Sequence, residues 1–112
     1  LDTLPQAALI YRLSGDDNPL HADPKVARAA KFDRPILHGL CTFGVAGHAL
    51  VKALDYNASR IASMHARFTA PVYPGESLTT DIWRDGTLWS FRTRGAARDL
   101  VVLGNGRLQL HS

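Results

Sequence analysis

Residues 39–54 constrain this chain more than any other stretch. Leu40, Cys41, Phe43, Val45, Ala46, Ala49, Leu50, Val51, Ala53 and Leu54 are apolar, and only Thr42, His48 and Lys52 among their neighbours are clearly polar. The run falls short of the roughly 20 apolar residues that cross a bilayer, so it predicts a helix buried in protein. A helix apolar nearly all round has to be covered nearly all round. About 15 residues at 1.5 Å rise make a rod of roughly 22 Å, which a small sheet can cover. Gly44 and Gly47 each cost about 1 kcal/mol of helix propensity against Ala. They predict that sheet backbone passes close to that side of the helix.

The second half of the chain supplies a sheet. Residues 60–70, 77–85, 87–95 and 100–111 read as strands, with Asp85-Gly86 as a tight hairpin between the second and third. Pro71-Val72-Tyr73-Pro74-Gly75 reads as a turn or bulge. Gly104-Asn105-Gly106 is read as a bulge inside the last strand, because a turn there would leave two short pieces. Ahead of the long helix, Thr3 is expected to cap a short helix with Pro5 in its first turn, running to about Leu13 and closing at Gly15. Asp23-Pro24 opens a second helix to about Lys31, with Val26, Ala27, Ala29 and Ala30 on its core side. The expectation is one α+β domain over residues 1–112, an antiparallel sheet wrapped around a long central helix.

Charge narrows the function classes. The net charge is +3 with the arginines scattered rather than clustered, so no nucleic-acid footprint is drawn. A mild positive field suits an anionic small molecule, and serves solubility equally. Cys41 is the only cysteine, which excludes an internal disulfide and fits a reducing compartment. No stretch reads as a signal peptide or membrane span. No His/Cys/carboxylate spacing suggests a metal, and no Gly-rich phosphate loop is present, so no cofactor is expected. The chain opens on Leu1, and is read as a fragment, a processed product or the trailing part of a longer polypeptide.

The chemistry sits in the string Tyr11-Arg-Leu-Ser-Gly-Asp-Asp-Asn-Pro-Leu-His21, with Ala27 beyond it. Asp16 and His21 are five apart, a spacing that shares no helix face. Gly15 tolerates positive φ, and Pro19 pushes Asn18 out of the α region. The stretch therefore reads as a kinked loop that turns a carboxylate and an imidazole toward one point, a general acid/base pair. The same residue types also make ordinary turns.

The full string resembles the signature of the MaoC-like family, the type 2 enoyl-CoA hydratases. Tyr11, Leu13, Ser14, Gly15, Asp16, Asn18, Pro19, Leu20, His21 and Ala27 all fit it. Ala66-Arg-Phe68 with 71–75 is similar to the family's strand and turn after the central helix. The run 35–44, Pro-Ile-Leu-His-Gly-Leu-Cys-Thr-Phe-Gly, looks like the hydratase domains of type 2 peroxisomal multifunctional enzymes. The resemblance implies the hot-dog fold. In the family that fold begins with a strand before the first short helix. In the eukaryotic-type enzymes a degenerate hot-dog repeat precedes it. Neither is visible here, which makes this chain read as the catalytic half of a double hot dog.

It further implies an (R)-specific 2-enoyl-CoA hydratase, equally a 3-hydroxyacyl-CoA dehydratase, with Asp16 and His21 as acid/base pair. Asn18 is expected to hold the water or orient the carboxylate. Gly39, at the start of the long helix, is the oxyanion-hole candidate, since free N–H groups and the helix dipole meet there; a tight helix entry explains it equally well. Phe68 is expected on the pantetheine or acyl path, or merely in the core. His38 is read as a helix-entry or supporting residue, His48 and His65 as surface histidines, and Cys41 as a buried helix residue. Coenzyme A enters as part of the substrate rather than as a cofactor. The expected partner is a second hot dog, either another copy or a separate N-terminal half, with no nucleic acid or membrane. The compartment is intracellular, cytoplasmic in a bacterium and peroxisomal in a eukaryotic multifunctional enzyme. Two other classes compete: a hot-dog thioesterase, which needs water aimed at the thioester carbonyl, and a non-catalytic acyl-binding subunit.

Overall fold

A computed structural model describes residues 1–11 and 18–112, apart from the side chain of Tyr11. Among the described residues three α-helices precede the sheet: α1 (Ala7–Tyr11), α2 (Pro24–Ala29) and α3 (Gly39–Ala53). Single 3₁₀ turns lie at Pro19–His21 and Ala58–Arg60. Four antiparallel strands follow: β1 (Ile61–Phe68), β2 (Leu78–Asp85), β3 (Leu88–Gly95) and β4 (Leu100–Leu110), ordered β1-β4-β3-β2. One long helix on one antiparallel sheet is the expected α+β hot-dog architecture.

Local chemistry explains most boundaries. Asp23 caps α2 by accepting from the Lys25 N–H at 2.9 Å, and Pro24 fills a first-turn position that needs no donor. The β2–β3 hairpin closes around Gly86, whose φ of +58° is the left-handed value such a two-residue turn requires. Gly104–Gly106 is the predicted bulge. β4 runs through it unbroken, while the register against both neighbours slips there. Gly106 is obligatory, because a Cβ on it would lie 2.3 Å from the Phe91 carbonyl oxygen.

Two cores hold α3 to the sheet. Toward its C-terminal end, Ala46, Leu50 and Leu54 pack with Trp89, Phe91, Leu103, Leu108 and Leu110. At the other end, Cys41 and Val45 border a second cluster of Ala8, Leu37, Val72, Leu78 and Val102.

Several expectations need correction. α3 is not buried all round: Thr42, Ala46 and Leu50 face the sheet, while Leu40 is 67% exposed and Gly44, His48 and Lys52 face outward. Cys41 is accordingly half-buried. A four-stranded sheet reaches only one side of a helix, so hydrophobic composition overstated the coverage. A Cβ on Gly47 would lie 3.7 Å from the Met64 sulfur and one on Gly44 would meet nothing within 4 Å, so neither glycine faces the close sheet backbone expected of it. Thr3 is no helix cap. Its hydroxyl donates to the Glu76 carbonyl at 2.7 Å and accepts from the Gly75 N–H at 2.9 Å. Ala29 and Ala30 are exposed, leaving Ala27 as the buried side chain of α2.

A trace of a first strand is present after all. Asp2 bridges antiparallel to Ser77, the Leu78 N–H donates to the Leu1 carbonyl at 2.7 Å, and the Thr3 N–H donates to the Glu76 carbonyl at 3.1 Å. That extended segment shields part of the outer edge of β2. The outer edge of β1 carries no strand among the described residues.

Candidate active site

The 3₁₀ turn Pro19–His21 carries the first functional side chain. Asn18 caps it, its Oδ1 accepting from the Leu20 N–H at 3.0 Å. Pro19 opens the turn without a donor to lose. The Asn-Pro pair is thus the local device that points His21. The imidazole then meets the segment before α3, where its Nδ1 lies 2.8 Å from the Ile36 carbonyl oxygen. A carbonyl only accepts, so Nδ1 carries the proton and the neutral ring keeps its lone pair on Nε2. Asp16, the proposed partner of His21, lies outside the described residues, as do Ser14 and Gly15.

His38 supports His21 from behind. The two rings stack with centroids 3.8 Å apart and 22° between planes, and His38 is 1% exposed. It is also the residue immediately before α3, with extended backbone dihedrals, as the reading of a helix-entry residue required. Its ring packs against His21 rather than capping the helix. The first N–H groups of α3, beginning at Gly39, therefore keep the direction and partial positive charge that a helix start provides.

Gly39 and Phe68 meet face to face. A Cβ on Gly39 would stand 3.2 Å from Cζ of the Phe68 ring. Phe68 ends β1 and is 56% exposed, so it is no core residue in this chain. His21, Gly39 and Phe68 share one largely apolar cavity of about 310 Å³, with Phe32, Thr42 and Val72 in its walls. That volume is at the small end of the range for ligand sites, roughly 300–1,000 Å³. Asn18 is not in that wall; the structure assigns its carbonyl end to the turn. His21 also borders a second cavity of about 210 Å³ with Arg34, Pro35 and Pro74.

Of the remaining candidates, His48 and His65 are exposed on α3 and β1. Burial pushes the Cys41 thiol up, which keeps it protonated and unreactive near neutrality. Among the described residues no three His, Cys, Asp or Glu side chains gather at one point, and no helix is long and apolar enough to cross a membrane. Sequence reasoning missed three contributors: the Ile36 carbonyl, Thr42 and Arg34. No local signal links Ile36 to His21, since the contact is made by the fold.

Known proteins resemble this chain over nearly its whole length. The family described as "MaoC like domain" matches residues 1–104. Enoyl-CoA hydratase ChsH3 of Mycobacterium tuberculosis is 51% identical over 104 residues, covering 92% of this chain and 36% of that protein. Peroxisomal multifunctional enzyme type 2 of Mus musculus is 49% identical over 109 residues, covering 96% of this chain and 15% of that protein. The solved structure of a MaoC-like dehydratase from Phytophthora capsici superposes with a TM-score of 0.94 at 38% identity, over 100% of this chain and 39% of that one. The chain thus spans about a third or less of the length of the curated relatives it matches here.

Proposed function

Since the chain belongs to the MaoC-like domain family, we propose that it catalyses the reversible hydration of a trans-2-enoyl thioester to the (R)-3-hydroxyacyl thioester, with coenzyme A as the carrier. The observation that carries this is the placement of His21. Its Nδ1–H is tied to the Ile36 carbonyl, its Nε2 lone pair is left for chemistry, and it shares one cavity with the glycine that begins α3.

The proposed reaction uses these parts in a balanced way. Water gives one proton to one member of the Asp16/His21 pair as its oxygen bonds Cβ. The π electrons move toward Cα and the thioester oxygen, and Cα takes a proton from the other member. Acid/base help of this kind is typically worth 10²–10⁴-fold. The negative charge that grows on the thioester oxygen meets the N–H groups at Gly39, where a single donor is worth about 10²–10³-fold in other enzymes. Asn18 shapes the turn that presents His21 through its Oδ1, and its proposed role is to hold the water or orient the Asp16 carboxylate. Phe68 walls the path of the acyl or pantetheine chain.

We further read residues 1–112 as one hot-dog repeat that works beside a second, either another copy or a separate repeat. The open face of α3 and the uncovered edge of β1 support this.

The test is an assay on crotonyl-CoA that follows loss of the enoyl thioester absorbance beside release of free thiol. Hydration without thiol release is expected. Thiol release in step with absorbance loss would replace this reading with a thioesterase. Tight binding with neither signal would make the chain an acyl-binding subunit. Asp16→Asn and His21→Gln should each lower kcat by at least about 10²-fold with the fold intact. Near-normal turnover in either removes that residue from the mechanism.

A further inference from the structure

Arg34 and Arg98 share an aromatic platform but differ in charge balance. The Tyr73 ring lies under both, with Cζ of Arg34 at 4.8 Å and Cζ of Arg98 at 5.4 Å from its centroid. Arg98 is neutralised: its Nε donates to Glu76 Oε2 at 2.7 Å, and its Nη2 donates to Oε1 at 2.9 Å and to the Pro71 carbonyl at 2.8 Å. Arg34 has no carboxylate partner among the described residues. Glu76, across the platform, already serves Arg98 and accepts from the Tyr73 N–H at 2.7 Å, while Asp33, beside Arg34 in the chain, forms no ion pair with it.

The Tyr73 hydroxyl accepts from the Asp33 N–H at 3.2 Å, which ties the ring to the segment bearing Arg34. Pro35 restricts the backbone of Arg34 to extended conformations. Two residues further on, the Ile36 carbonyl orients His21. An arginine laid on an aromatic face is held ready at low entropic cost.

Its place in the molecule matters most. Arg34 lines the 210 Å³ cavity that His21 borders, and also an outer depression of about 510 Å³ bordered by Gly75, Ser77 and Glu76, whose carboxylate is taken up by Arg98. Pro5, Arg34 and Pro74 line both, which puts Arg34 at the boundary between the two. A group leaving the reaction site on that side would pass a guanidinium laid on the Tyr73 ring, without a carboxylate partner among the described residues.

We infer that Arg34 receives a phosphate of the thioester carrier, so that the carrier leaves His21 on the Arg34 side while the acyl group lies on the Phe68 side. This rests on the thioester reading above and assigns the direction of the substrate within it. Planar guanidinium donors fit phosphate oxygens in pairs. Coenzyme A and carrier-protein phosphopantetheine both offer a phosphate at the end of the same arm.

The experiment compares the full chain with Arg34→Gln and Arg34→Lys by calorimetric binding of coenzyme A, 4′-phosphopantetheine and pantetheine. Arg34→Gln should weaken coenzyme A about tenfold, equivalent to about 1.4 kcal/mol, and leave pantetheine unchanged. Arg34→Lys should recover part of the loss. A loss for phosphopantetheine as well places the shared 4′-phosphate at Arg34; a loss for coenzyme A alone places the nucleotide phosphates there. Equal binding by parent and Arg34→Gln, an equal loss for pantetheine, or no coenzyme A binding by the parent overturns the inference. With crotonyl thioesters, KM for the coenzyme A form should rise while kcat holds. A parent that binds coenzyme A yet hydrates none of these thioesters defeats the hydratase reading, while the binding comparison still judges Arg34.

Discussion

Single atoms decide the chemistry at the residue scale. In the proposed mechanism His21 acts through Nε2, because the Ile36 carbonyl holds its Nδ1 proton. In the same proposal Gly39 serves because no side chain projects from it toward Phe68. A methyl group there would press on the Phe68 ring at 3.2 Å, but that ring is half-exposed and can yield. A valine would fill the approach to the helix N–H groups. Gly39→Val is therefore expected to melt near the parent temperature yet lose about 10²–10³-fold in turnover of crotonyl-CoA. Parent-like kinetics would reduce Gly39 to a structural turn. At Gly106 the same kind of addition hits backbone: a Cβ at 2.3 Å from the Phe91 oxygen has no room to relax. Gly106→Ala should cost at least the upper part of the roughly 1–3 kcal/mol typical of overpacking, read as a drop in urea midpoint.

Elements are held by a mixture of packing and paired charges. On the outer face of the hairpin, Asp81 accepts from Arg92 Nε and from Arg94 Nε, each at 3.0 Å, across the β2–β3 pair. Hydrogen bonds from Arg92 and then Arg94 hold the Asp81 carboxyl below the usual carboxylate range. A carboxyl with a lowered folded value binds protons more readily in the unfolded chain. Its stabilisation is thus complete above the unfolded value, about pH 4, and is lost as pH falls through the lowered folded value. The urea midpoints of parent and Asp81→Asn should differ near pH 7 and converge in stronger acid. A difference that stays constant on acidification would show that the paired charge is not its source. The effect is modest, since these groups sit at the surface, and should shrink further in high salt.

For the whole molecule, the question is what covers α3. Leu40 is 67% exposed, Gly44 has open space above it, and β1 offers a strand edge without a neighbour among the described residues. Apolar surface beside an unpaired strand edge is a surface that associates. A second hot dog seated there accounts for both features at once. Native mass spectrometry at micromolar concentration should show the 12.2 kDa chain paired. Gly44→Glu, which places a charge on that face where nothing in this chain is met, should release the monomer without unfolding it. A parent that is fully active as a monomer would refute the pairing.

The local signals in this sequence were strong where one residue type has one physical use. Alternating strands, Gly86 in the hairpin, the Gly104–Gly106 bulge and the Asp23 cap follow from backbone geometry that few residues permit. The pairing of Asp16 with His21 is what the family signature implies, and Asp16 lies outside the described residues. The apolar run 39–54 was legible as a helix, but its burial was not, because composition does not say how many sides a small sheet can reach. Thr3 was misread for a related reason. A threonine before a helix can cap it, yet here its hydroxyl serves Gly75 and Glu76, more than seventy residues away. The bond from Ile36 to His21, the stack of His38 on His21, the contact of Phe68 with Gly39 and the shared platform of Arg34 and Arg98 all join residues that local pattern does not connect. Sequence by itself determined which segments became helix or strand and which side chains carried reactive groups, since those depend on local dihedral and chemical preferences. Which of those groups face one another was decided only when the sheet closed on α3, because distance in space is set by packing rather than by spacing along the chain.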